Sequence, residues 1–166
     1  MNDLVAKFKA LSIGDKVIVV AGVALLIIGF LPWYHAGGGN VNVAGFTVVN
    51  IPSVNSNGWQ SPGALWSIIA ILLGLAMAGV IGVRVLAQPG TLPVNVGGFT
   101  WPKIMLGAAV LAAVVTLIKL VSPPSGWSLS IGAYLGVIAV AALVVGAFLG
   151  FQQERSAAPT QAPTAQ

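Results

Sequence analysis

The chain has 166 residues, of which 57% are hydrophobic, 21 are Gly and only 6% are charged, against roughly a quarter charged in an ordinary soluble domain. That balance excludes a soluble single domain and points to an all-α membrane protein, an antiparallel bundle of four transmembrane helices with a short N-terminal interfacial helix. One His, two Asp and one Glu are too few for most enzymes or for a metal centre, and the absence of Cys removes disulfides, iron–sulfur clusters and thiolate chemistry.

Residues 1 to 11 read as a short interfacial helix, with Lys7, Phe8 and Lys9 as a surface anchor or a solvated basic flank. The first span is predicted from about Val17 to Tyr34, preceded by Ser12 and Asp15 in a capping pattern. A basic stretch before an apolar one, with small residues at Ala36 and Gly38, also fits a signal peptide. The Pro32-Trp33-Tyr34 exit reads instead as an interface anchor, because amphipathic rings settle at headgroup level. An external loop of 27 residues, His35 to Ser61, leads to a second span from about Pro62 to Leu86, with Ser61 as N-cap and Pro62 at the first helical position.

A link from Ala87 to Pro102 precedes the third span, about Lys103 to Val121. The turn Ser122-Pro123-Pro124-Ser125-Gly126 leads to the fourth, about Trp127 to Phe151. Residues 152–166, rich in Ala, Pro, Thr and Gln, read as a disordered cytoplasmic tail.

Charge sets the expected orientation. With the N-terminus cytoplasmic, Lys7, Lys9, Lys16, Arg84, Lys103 and Arg155 lie inside and Lys119 alone lies near the outer surface, as the positive-inside rule requires. Both termini are then cytoplasmic. The net charge of +4 is explained by these flanks and implies no nucleic-acid partner. Lys119, two residues from the end of its run, is expected to snorkel outward.

Two internal echoes stand out. Ser61 to Ala70 aligns with Ser130 to Ala139, each after a Gly-Trp pair, as a duplicated hairpin would produce. VNVAGFT at Val41 to Thr47 and VNVGGFT at Val94 to Thr100 each read as a short extended segment ending in a turn. Small residues recur at four-residue spacing as Ala70, Gly74, Ala78 and Gly82 in span two, and as Gly132 and Gly136, then Ala142, Gly146 and Gly150, in span four. Such faces permit the close helix approach on which association in lipid depends. They serve either internal packing or docking of a second copy or another subunit.

The spans carry no ionisable residue at their centres and offer only Ser67 and Thr116 as hydroxyls, which speaks against ion-coupled transport. His35 lacks a second ligand nearby. Trp33, Tyr34, Trp59, Trp66, Trp127 and Tyr134 gather at the outer interface, as an aromatic belt or as a site for a lipid or isoprenoid headgroup.

Phe30-Leu31-Pro32-Trp33-Tyr34 closing span one, Asn57-Gly58-Trp59 opening span two, and two further spans joined by a short turn resemble a large group of small four-helix actinobacterial membrane proteins. The resemblance implies a bacterial plasma-membrane location and carries over no catalytic or binding residue; members generally lack an assigned activity. The expected function is a non-catalytic scaffold or accessory subunit, with no cofactor, whose partners are membrane lipids and possible copies of itself or other subunits. Lipid or quinone binding, or small-molecule carriage, is the alternative.

Overall fold

The structure, a computed structural model, describes residues 2–43, 46–86, 93 and 95–157. Helix α1 (Asn2–Ala10) precedes α2 (Ile13–Ile28). Ser12 caps α2 as its sequence signal implies: its oxygen accepts the Asp15 N–H at 3.1 Å, and its hydroxyl donates to the Asp15 carboxylate at 2.9 Å. The predicted end of the first span is corrected. α2 stops at Ile28, and Pro32–Ala36 forms strand β1, because Pro32 confines Leu31 to extended backbone and the Gly29 carbonyl is taken by the Gly58 N–H at 2.8 Å.

The expectation of an all-α chain is corrected as well. The long loop holds strands β2 (Gly39–Val43), β3 (Phe46–Ile51) and β4 (Val54–Asn57) before α3 (Ala64–Leu86). Pro62 is not the first helical residue: Gly63, at φ +70°, still turns the chain, and the Ser61 carbonyl accepts the Ser56 hydroxyl at 2.7 Å. The link between the second and third spans carries β5 (Asn95–Val96) and β6 (Phe99–Thr100), its residues 87–92 and 94 lying outside those described. α4 (Trp101–Val121) follows, then β7 (Trp127–Leu129) and α5 (Ile131–Ala157). Thus Trp127 opens a strand rather than the fourth span, and α5 continues six residues into the expected tail. The rest of the tail, 158–166, lies outside the described residues.

β1 lies at the centre of a three-stranded antiparallel sheet in the order β4-β1-β7, with Tyr34 opposite both Ser56 and Leu129. This sheet caps one end of the helices. β2 and β3 form a separate hairpin, and β5 and β6 another. Both copies of the VNV-GFT echo pair their Asn with Thr and their second Val with Phe. In the first, Asn42 pairs with Thr47 and Val43 with Phe46; in the second, Asn95 pairs with Thr100 and Val96 with Phe99.

Helix α2 packs against α3 and α5, and α4 packs against the same two, while α3 and α5 barely meet across the middle. The shared core holds Ile18, Leu25, Ile71, Ile81, Ala109 and Leu143. Outward faces are apolar too: Val20, Ile27, Leu72, Leu117, Ile138 and Val145 are exposed, which suits lipid and not water. Three helices, α3, α4 and α5, are long and apolar enough to cross a membrane. α2, at 16 residues, is about 24 Å long at 1.5 Å per residue, short of the ~30 Å hydrocarbon core.

Candidate functional site

The most unusual chemistry sits where the capping sheet meets the helices. Lys119, in the last turn of α4, is 2% exposed and points into the molecule, so the expected snorkelling is corrected. Its Nζ donates to Ser67 Oγ at 2.7 Å and lies over the rings of Trp33 (4.8 Å to the centroid) and Tyr34 (5.3 Å). An ammonium has three N–H donors. Here one finds a hydroxyl, and the electron-rich faces of two aromatic rings take up the positive charge.

Each neighbour is itself held. The Ser67 hydroxyl lies against the carbonyls of Gly58 and, at 3.1 Å, Ala64. The Tyr34 hydroxyl donates to the Lys119 carbonyl, which α4, ending two residues later at Val121, leaves without a helical partner. The Trp33 indole N–H donates to the Ile28 carbonyl at 3.0 Å, which also accepts the Leu31 N–H at 3.0 Å. The Ser130 N–H donates to the Trp33 carbonyl at 2.9 Å. One cluster therefore ties together the ends of α2, α3 and α4, strand β1 and the entry to α5.

Trp33 and Tyr34, each 1% exposed, are not members of an outer aromatic belt but the buried walls of this cluster. Alternation along β1 does not explain two buried neighbours; the bulge between Pro32 and Tyr34 in the β1–β4 pairing does, because it turns consecutive side chains inward. Trp59, Trp66 and Trp127 are half-buried, with Trp59 tilted on Phe30 at 5.7 Å. Tyr134 is 56% exposed on α5. His35 faces Asn55 at 2.9 Å on the sheet, away from the lysine. Among the described residues no three His, Asp or Glu come together.

The small residues divide by role. A Cβ on Gly74 would meet Leu143 and Leu25 at 3.2 and 3.3 Å, and one on Gly22 would meet the Gly74 carbonyl oxygen at 2.5 Å and Ala78 Cβ at 3.1 Å. Ala70, Gly74 and Ala78 thus line the α2–α3 contact. Gly146 meets Gly14 and Ile18 in the same way on α5, beyond half-buried Ala142. Gly132 and Gly136, however, have strand β1 as the nearest neighbour of such a Cβ. They seat the Trp33 indole, which a Cβ at Gly136 would strike at 2.5 Å. Gly82 and Gly150 have nothing within 4 Å of such a Cβ.

Chemically the cluster is built to hold. A Ser–Lys pair at hydrogen-bond distance is one that nucleophilic catalysis can use, but Ser67 is 0% exposed and carbonyls surround its hydroxyl. Sequence reading missed Lys119 because it lies near the end of its span. The available signal was that an ionisable residue inside a spanning segment is expected to face protein and not lipid. The fold and cluster together define a helical membrane protein whose helix ends are knitted by a small β-cap. Compared with known proteins, no family model matches the chain, and no curated protein or solved structure is significantly similar to it.

Proposed function

We propose that the chain is a non-catalytic scaffold or accessory subunit of a bacterial plasma membrane, an antiparallel four-helix bundle in which α2 is completed as a span by the buried start of β1. Both ends are cytoplasmic and the β-cap is external. The seven-cation distribution supports this orientation, with Lys119 the sole cation at the cap end and internally bound. The resemblance to small actinobacterial four-helix membrane proteins supports the location.

One observation carries the association with a partner. The β2–β3 hairpin stands apart from the helices, its two strands packing chiefly on each other. Val41 pairs with Val49, and Gly39 with Ile51, so Val41, Val49 and Ile51 share a face, 46%, 49% and 51% exposed. Asn40 and Asn50 pair on the other. An isolated two-stranded hairpin is marginal in water, and an uncovered apolar face on it is explained by a protein docked there. The small-residue stripes are largely consumed in internal contacts, which moves the docking surface from the helices to this hairpin.

Purification in mild detergent tests the reading. The wild-type chain is expected as a homo-oligomer or a stoichiometric complex, and the triple substitution Val41→Thr, Val49→Thr, Ile51→Thr should release it with little change in thermal stability. A lone wild-type monomer that moves an ion or solute across proteoliposomes would overturn the scaffold in favour of a carrier.

A further inference from the structure

At the end opposite the β-cap, Phe8 of α1 and Leu11 just after it meet Val19 of α2 and Ile81, Gly82 and Val85 of α3, among others, around an apolar groove of about 280 Å³. Its wall is open at Gly82, where a Cβ would have no neighbour within 4 Å. Phe8 remains 40% exposed beside it. Lys7 and Lys9, both exposed, flank Phe8 on α1, and Lys16 reaches back from α2 to the Lys9 carbonyl at 2.8 Å. Arg84 lies next to Val85 and is stacked over Trp101 at 5.5 Å. Beside these cations lies Asp15, whose carboxylate accepts the Ser12 hydroxyl.

The geometry points to a binding site for one anionic phospholipid, its acyl chain in the groove beneath α1 and its phosphate among Lys7, Lys9 and Lys16. An amphiphile with a negative head and an apolar chain matches a slot whose lining is apolar and whose residues Phe8, Leu11 and Val19 have Lys7, Lys9 and Lys16 within one helical turn of them in sequence. A docked protein helix would have to enter under α1 and satisfy that rim with carboxylates at headgroup depth. Anionic lipid supplies the charge there already, and each nearby Lys is worth about 1 kcal/mol toward such a surface, roughly fivefold in affinity. α1 is then a clasp, held by Phe8 on the chain and by the lysines on the head. This inference rests on the membrane-spanning reading, but not on which side faces the cytoplasm.

The test uses the full chain in detergent, with phosphatidylglycerol and phosphatidylcholine of equal chain length added together and retained lipid counted by native mass spectrometry. The wild-type protein should keep one phosphatidylglycerol with a preference on the order of 100-fold, and Lys7→Gln with Lys9→Gln should cut that preference to about fivefold. Gly82→Leu, which fills open space and so should fold normally, should lose the retained lipid altogether. Equal retention of both lipids by the wild type, or unchanged retention in the Gly82→Leu protein, would overturn the site. Release of the wild-type chain from membranes by alkaline carbonate would remove the spanning reading itself, whereas an integral protein indifferent to headgroup removes the lipid site alone.

Discussion

A buried ammonium with no carboxylate beside it among the described residues sets up an unequal response to substitution at its two ends. Lys119 pays for its desolvation with one hydrogen bond to Ser67 and the faces of Trp33 and Tyr34. Removing the hydroxyl alone strands a buried donor, at a cost of about 1 to 3 kcal/mol. Removing the charge with a side chain of similar length does not. Ser67→Ala should therefore lower the thermal unfolding midpoint in detergent, Lys119→Met should change it much less, and Ser67→Ala with Lys119→Met should recover most of the loss. Additive losses in the double variant would show that the two side chains do not act as a pair. The glycines make a second prediction at this scale. Gly136→Leu drives a side chain into the Trp33 indole, and overpacking costs ~1 to 3 kcal/mol. Gly107→Leu, where a Cβ meets nothing within 4 Å, should leave the midpoint unchanged.

At the scale of elements, the helix ends carry the specificity. Ser12 starts α2, and replacing a capping Ser by Ala costs about 1 kcal/mol, so Ser12→Ala should lower stability by that amount without altering the β-cap at the other end of the helices. At the other end, Tyr34 satisfies the Lys119 carbonyl in the last turn of α4, a task that would otherwise fall to water or headgroups, and Trp33 adds a second donor to the Ile28 carbonyl that closes α2. The start of α4 is tied to the end of α5 by the Thr100 hydroxyl, which donates to the Glu154 carboxylate at 2.9 Å. This contact accounts for the continuation of α5 past Phe151: a polar segment, Gln152 to Ala157, stays helical where its composition alone reads as tail.

The whole molecule poses the question of sidedness. Because Cys is absent, single cysteines report topology without background. Ser53 and Ser156 are exposed, whereas Ser56 is buried beneath the sheet and would label poorly on either side. The proposed orientation expects Ser53→Cys to react with an impermeant maleimide in intact cells and Ser156→Cys to react only after lysis. Labelling of the second alone in intact cells would invert the model, and labelling of both would break the odd number of crossings, three, between the two positions.

Composition and apolar run length alone determined that this is a helical chain suited to a membrane, because the length of hydrocarbon to be crossed acts directly on sequence. Local signals likewise marked the start of α2 at Ser12 and the turn at Gly126, since capping and left-handed backbone are short-range effects. Where the first and fourth spans end was decided elsewhere. PWY and WSL follow or open apolar runs long enough to read as helix, yet both become strands because each finds a partner distant in sequence, β4 and β1 respectively. The same long-range packing turned Trp33 and Tyr34 inward, set Gly132 and Gly136 beneath an indole, and closed Lys119 in. A side chain's direction near a helix end depends on what the rest of the fold places there, and no local pattern of residues encodes it.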